Sequence, residues 1–247
     1  MSLEFLSVAA ATGDPAPIAR SPIEPLARAA GARIEVRDGW NVAVEFGAGA
    51  QAEAQAARLT VGWADVSHVG KLELQGPSEA LDRAAGAPLA FGAATALDGA
   101  WWCRLTRTRA LVIGDIQSAR ERCGDPVSTV DVTCTYGAIT VVGPLAREVF
   151  ARFCALDLRP QVTPVRGLRP GSIARQPGIL IREAQERYLF MFGWATGEYV
   201  WGVVCDAGEH LGGRPIGADA LAALGGGVGD AEPEEATVAD QEETVDA

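Results

Sequence analysis

One pattern occurs twice in this chain and constrains its fold more than any other feature. Asp65-Val66-Ser67 leads to Gly70, an alternating stretch Lys71-Leu-Glu-Leu-Gln, then Gly76-Pro77 and a helical segment from Ser78 to Ala85. About 66 residues later, Asp131-Val132-Thr133 leads to Gly137, a strand Ala138-Ile-Thr-Val-Val, then Gly143-Pro144 and a helical segment from Leu145 to Ala155. Period-2 alternation marks a half-buried strand, and Pro after Gly ends it and presets φ for the next turn. Two copies of strand, turn, strand, Gly-Pro and helix predict an α+β body, pseudo-duplicated, with mixed or antiparallel sheets. Asp65 and Asp131 are expected to close their turns by accepting backbone N–H bonds.

The rest of the chain fits that frame. Arg33 to Arg37 and Trp40 to Phe46 alternate around Asp38-Gly39, a hairpin dipeptide. Gln51 to Leu59 reads as a helix, Ala100 to Thr106 and Arg109 to Gly114 as a second hairpin, and Ile116 to Arg122 as a short helix. In the second copy, Leu145, Val149, Phe153 and Leu156 form one apolar stripe expected to lie on a sheet. Further on, Gly178 to Ile181 and Tyr188 to Phe192 read as strands. Thr196 to Glu209 reads as a helix with Tyr199, Val200, Val203 and Val204 inward, and Ala218 to Leu224 as a last short helix. The predicted organisation is a flexible segment 1–20, a body 21–224 with halves 21–125 and 126–224, and a disordered tail 225–247.

Composition removes several function classes. The net charge of −11 is concentrated after residue 229, where eight acidic residues and no basic ones leave the body near −3. Such a body lacks the basic footprint of a nucleic-acid binder. No apolar run reaches membrane-spanning length and the N-terminus has no signal-peptide pattern, so the expected location is cytoplasmic. The five cysteines stand 11 residues or more apart and there are only two histidines, His68 and His210, so no metal site is expected. No Walker loop, GxSxG elbow or strand-linked GxGxxG occurs. Lys71 is the single lysine beside twenty arginines.

Specific strings bring a family into view. Arg20-Ser-Pro-Ile-Glu-Pro-Leu-Ala-Arg, Gly39-Trp40, and Gly62-Trp63-Ala-Asp65-Val66-Ser67-His68-Val-Gly70-Lys71 resemble the N-terminal part of the glycine-cleavage T-protein, an aminomethyltransferase. Gly143-Pro144-Leu-Ala-Arg-Glu-Val and Cys154-Ala-Leu-Asp157-Leu158-Arg-Pro160 resemble the same superfamily's second half. The latter stretch and the short length are more similar to the gamma subunit of heterotetrameric sarcosine oxidase. The resemblance implies an α+β folate-binding module with tetrahydrofolate in a central opening where a one-carbon unit is transferred.

At the stretch matching the family's adjacent aspartates the chain reads Asp98-Gly99-Ala100-Trp101-Trp102, so Asp98 alone stands near as the candidate catalytic acid. At the stretch matching the pterin-binding motif, Arg175 and a displaced Glu183 remain. Trp101, Trp102, Arg175 and Glu183 are therefore the candidate cofactor-binding residues. If Ala100 to Thr106 is a strand, the two tryptophans point to opposite faces. Arg175 and Glu183 also fit a cross-strand ion pair. Arg104, Arg107 and Arg109 flank the turn of the same hairpin, either beside the cofactor's glutamate carboxylates or in solvent.

Three functions follow as expectations. The first is an accessory subunit with degenerate catalytic residues, in a hetero-oligomer with oxidase subunits and binding a folate or one-carbon molecule. The second is an autonomous tetrahydrofolate-dependent aminomethyltransferase, and the third a folate-independent interaction protein.

Overall fold

The computed structural model describes residues 17–225. The acidic tail from residue 226 and the first sixteen residues lie outside them. Pairing begins earlier than the expected body, because Ala19–Arg20 (β1) runs parallel to Trp40–Asn41. After α1 (Glu24–Ala29) come β2 (Arg33–Arg37) and β3 (Trp40–Glu45), joined by Asp38-Gly39 with φ of +50° and +77°, the signature of a type I′ hairpin turn. Next follow α2 (Ala50–Leu59), β4 (Gly62–Asp65), β5 (Lys71–Gln75) and α3 (Ser78–Ala85).

Three strands then make a meander: β6 (Ala94–Leu97), β7 (Ala100–Thr106) and β8 (Arg109–Gly114). α4 (Ile116–Glu121) is capped by Asp115, whose carboxylate accepts from the Gln117 and Ser118 amides. β9 (Ser128–Asp131) and β10 (Tyr136–Val142) lead to α5 (Ala146–Ala151), and β11 (Leu168–Ile173), β12 (Gln176–Ala184) and β13 (Arg187–Gly193) form a second meander. The described residues end with α6 (Gly197–Glu209), β14 (Arg214–Pro215) and α7 (Ala218–Ala223).

The sheets have the orders β1-β3-β2, β11-β12-β13-β10-β4-β14 and β6-β7-β8-β5-β9. Among the described residues all strand pairings are antiparallel except β1 with β3 and β14 with β4, so the α+β class with mixed and antiparallel sheets holds. The strands do not sort by the expected halves. β4 lies in the six-stranded sheet beside β10, and β9 lies in the five-stranded sheet beside β5.

Strand alternation builds the layers. Along β13, Tyr188, Phe190 and Phe192 pack with Phe150 and Trp201 on the side of α5 and α6, while Leu189 and Met191 pack with Trp101, Leu111 and Ile113 of the five-stranded sheet. On that sheet's far face Leu72, Leu74, Trp102 and Val112 meet α3 and α4. The order is helices, sheet, sheet, helices, and the middle core lies between the two large sheets.

Two details differ from the sequence reading. In α6 the buried set is Gly197, Val200, Trp201, Val204, Ala207 and Gly208, so Trp201 points inward and Tyr199 is 48% exposed. α5 stops at Ala151, so the expected stripe is shorter, carried by Ala146, Val149 and Phe150.

Candidate functional site at the seam of the two sheets

The chain passes between the two large sheets twice, once after each Asp-Val-Ser/Thr turn. Asp65 Oδ1 accepts from the Ser67 amide at 3.0 Å, and Asp131 Oδ1 accepts from the Thr133 amide at 2.9 Å. These are the expected turn closures. Each crossover then braces the other: Ser67 Oγ accepts from the Ala138 amide at 3.0 Å, and Thr133 Oγ1 accepts from the Lys71 amide at 2.9 Å.

Lys71 sits inside this crossing, fully buried, with Nζ donating to the Ser67 and Val69 carbonyls at 3.0 and 2.8 Å. Burial lowers its pKa to about 8, against the opposing pull of Asp65, Cys134 and Asp131. Burial likewise lowers the pKa of His68, with Asp65 pulling the other way, and raises that of the Cys134 thiol. Local sequence pattern assigns no role to Lys71; its being the single lysine in an arginine-rich chain is the one signal that marks it.

A second cluster ties the sheets together from the other side. Trp101 of β7 donates its indole N–H to Glu183 Oε1 of β12 at 2.8 Å, and Arg187 Nε donates to Glu183 Oε2 at 3.0 Å. Glu183 is 2% exposed, so its carboxylate is desolvated but holds a hydrogen bond on each oxygen. Arg187 Nη1 also reaches the Gly225 carbonyl, at 2.7 Å. Burial beneath this cluster raises the pKa of the Cys103 thiol.

The five expected site residues are brought together only in part. Trp101 and Glu183 meet. Trp102 points the other way, into the core under α3 and α4, with the Arg122 guanidinium 5.7 Å from its ring centroid. Asp98 takes the first position of an Asp98-Gly99 hairpin turn with φ of +47°, its side chain 72% exposed and paired with Arg122. Arg175 occupies the exposed turn between β11 and β12 with φ of +58°. Eight residues of extended chain, roughly 25 Å, separate it from Glu183, so the two form no cross-strand pair; Arg187 is the partner of Glu183. Near the β7–β8 turn, Arg104 is buried against Asp82 at 2.5 Å and Arg109 pairs with Glu73 at 2.6 Å.

As folded, this set does not suit tetrahydrofolate. A pterin needs a carboxylate free to accept two parallel hydrogen bonds and an open aromatic face. Glu183 has both oxygens engaged, and Trp101 and Trp102 are at most 1% exposed.

No protein-family model matches the chain. It is 25% identical over 239 residues to the aminomethyltransferase of Acidobacterium capsulatum, covering 85% of this chain and 62% of that protein. It is 46% identical over 57 residues to the aminomethyltransferase of a Picosynechococcus strain, covering 23% of this chain and 15% of that one. The chain thus spans less than two thirds of the length of these curated relatives. Among solved structures, a chain of heterotetrameric sarcosine oxidase from Corynebacterium sp. U-96 superposes with a TM-score of 0.59 at 21% identity, covering 78% of this chain and 95% of that one. Glycine cleavage system aminomethyltransferase T from Bartonella henselae superposes with a TM-score of 0.69 at 18% identity, covering 84% and 62%. The fold and these matches make the chain similar to the aminomethyltransferases of the glycine-cleavage T-protein superfamily and to a sarcosine oxidase subunit.

Proposed function

We propose that this chain is a T-protein-like module acting as a non-catalytic accessory subunit of a larger one-carbon or amine-oxidising complex of the sarcosine oxidase type. The observation that carries the reading is the state of the two carboxylates that remain where the family resemblance implies acid chemistry. Glu183 is committed to Trp101 and Arg187, and Asp98 faces solvent beside Arg122. A group that stabilises developing charge in transfer must be held in place and free to accept. Neither carboxylate meets both conditions.

The near-complete coverage of the sarcosine oxidase chain, against 62% of the T protein, supports the same reading. Tetrahydrofolate is the cofactor class that the resemblance implies, and it rests on the resemblance alone. Burial of both tryptophans favours folate-independent use of the frame. The reciprocal Ser67 and Thr133 bonds support the reading of the body as a duplicated unit, with one crossover from each copy.

The rival reading, an autonomous aminomethyltransferase using Asp98, is favoured by the names of the curated relatives. Production of methylenetetrahydrofolate from an aminomethyl donor, assayed with wild type and Asp98→Asn, separates the two. The accessory reading predicts no turnover above background from either protein. Turnover by wild type that Asp98→Asn abolishes would establish the rival.

A further inference from the structure

The edges of the two large sheets meet at β6 and β11, and the surface over that junction takes no part in the preceding chemistry. The Ala94 amide donates to the Arg166 carbonyl at 2.7 Å, and the Leu168 amide to the Gly92 carbonyl at 2.8 Å. Arg169 staples the flanking loops, with Nη1 donating to the Gly92 and Leu168 carbonyls at 3.1 and 2.9 Å and Nη2 donating to the Val162 carbonyl. Phe91 also bridges Arg104 of β7, whose Nη1 donates to the Arg107 carbonyl at 3.2 Å, so the β7–β8 turn borders the same surface. Two large apolar side chains stand out from it, Phe91 at 61% exposure and Val162 at 40%. Arg166 holds a φ of +65° just before β11, a conformation that costs a non-glycine residue on the order of 1 kcal/mol.

Charge on this surface is unbalanced. Neighbouring arginines are neutralised in place, Arg104 by Asp82, Arg109 by Glu73 and Arg159 by Asp157. Among the described residues, Arg107, Arg166 and Arg169 pair with no carboxylate. An exposed aromatic ring among arginines has the composition of an interface, and three unpaired guanidiniums select an acidic occupant. The acidic body offers no continuous basic track for a nucleic-acid backbone. An acidic segment is tethered nearby: residues 226–247 carry eight acidic side chains, no basic one, and Val228, Val238 and Val245. The described residues end at Gly225, whose carbonyl accepts from Arg187 Nη1 at 2.7 Å. From Arg187 the strand leads to Tyr188, Tyr188 pairs with Arg182, and the Arg182 carbonyl accepts from the Arg166 amide at 2.6 Å. That path is roughly 25 Å at most, whereas the twenty-two residues after Gly225 span up to roughly 70 Å. A tether of this length gives an effective concentration on the order of millimolar, so even a contact of millimolar strength is occupied.

We propose that the acidic segment 226–247 docks on this junction of its own chain, its carboxylates on Arg107, Arg166 and Arg169 and its apolar residues on Phe91 and Val162. Surface charges hold the contact, so it weakens with salt. The proposal does not depend on the accessory-subunit reading.

The test is the rate at which a glutamate-specific protease cuts the full-length chain after Glu232, Glu234, Glu235, Glu242 and Glu243, followed by mass spectrometry beside a synthetic peptide of residues 226–247 in the same buffer. The variants are Arg107→Gln combined with Arg166→Gly, and Phe91→Ser alone. Arg107 and Phe91 are exposed, and glycine relaxes the left-handed φ at 166, which keeps the variants foldable; their thermal midpoints verify it. Cleavage tracks the undocked fraction, so at about 20 mM salt the wild-type chain is expected to be cut at least about tenfold more slowly than the peptide. In the double arginine variant, and in wild type at about 0.5 M salt, the rate is expected to return to within about twofold of the peptide's, with Phe91→Ser in between. Equal rates for the wild-type chain and the peptide at low salt would overturn the proposal, as would protection that survives the double arginine variant. Protection that rises with protein concentration would overturn it too, because a second copy would then supply the segment.

Discussion

Glu183 and Lys71 are both charged, both buried, and both set where the two large sheets meet, yet the fold treats them differently. Glu183 is neutralised by direct bonds from Trp101 and Arg187. Trp101→Phe keeps the ring and removes the donor, leaving Oε1 unpaired, and is expected to cost about 1–3 kcal/mol in urea unfolding. Lys71 is held by carbonyls alone, and burial shifts its pKa from 10.5 to about 8. Between those values the unfolded chain binds the proton that the folded chain has released, so folding stability rises with pH across that window. Unfolding free energies of wild type relative to Lys71→Met are expected to climb by on the order of 3 kcal/mol from pH 8 to 10.5; a flat difference would contradict the shift. At this scale the sequence was legible where the partner is local. Asp65 and Asp131 could be read as turn closers because their acceptor geometry spans two residues. The Trp101–Glu183 bond spans 82 residues, and no local pattern encodes it.

Elements followed their turn chemistry more faithfully than their apolar content. The Asp38-Gly39 turn was readable because its two positions need positive φ, and the same dipeptide at 98–99 closes β6 onto β7. β6 carries no such mark, since Ala94-Thr-Ala-Leu has little of the β-branched alternation that signals a strand. β9 is a four-residue edge strand exposed at three positions, so it lacks an apolar face to detect. In α6 the inward face is fixed by Gly208 against the Trp63 ring, which a helical wheel cannot show. The β10-to-α5 turn gives the sharpest element-level prediction. Gly143 has φ of +123°, and an added Cβ would press on the Ala57 carbonyl oxygen and lie 2.8 Å from that of Thr60. Backbone cannot move aside as a flexible side chain can. Gly143→Ala is expected to cost about 3 kcal/mol or more from strain and overpacking, while Asp115→Ala, which removes only the α4 cap, is expected to cost about 1 kcal/mol. Equal effects of the two on the urea midpoint would contradict this account of the turn.

Over the whole molecule, the two crossovers and the Trp101–Glu183–Arg187 cluster join the sheets into one body around a shared middle core. The fold is similar to that of glycine cleavage aminomethyltransferase T, while the groups on which the resemblance places cofactor chemistry hold the structure together. The α+β class was legible because the repeated Asp-Val-Ser/Thr and Gly-Pro marks recur at a fixed distance. The exchange of β4 and β9 between sheets was not, because strand partners are chosen by packing and not by order along the chain. The carboxylate of Glu183, on which the resemblance places pterin binding, is engaged on both oxygens by Trp101 and Arg187. Calorimetric titration of the isolated chain with tetrahydrofolate, repeated with Glu183→Gln, tests it most directly. The account predicts no saturable heat in the micromolar range from either protein. Micromolar binding by wild type, about −8 kcal/mol, that Glu183→Gln weakens would contradict it.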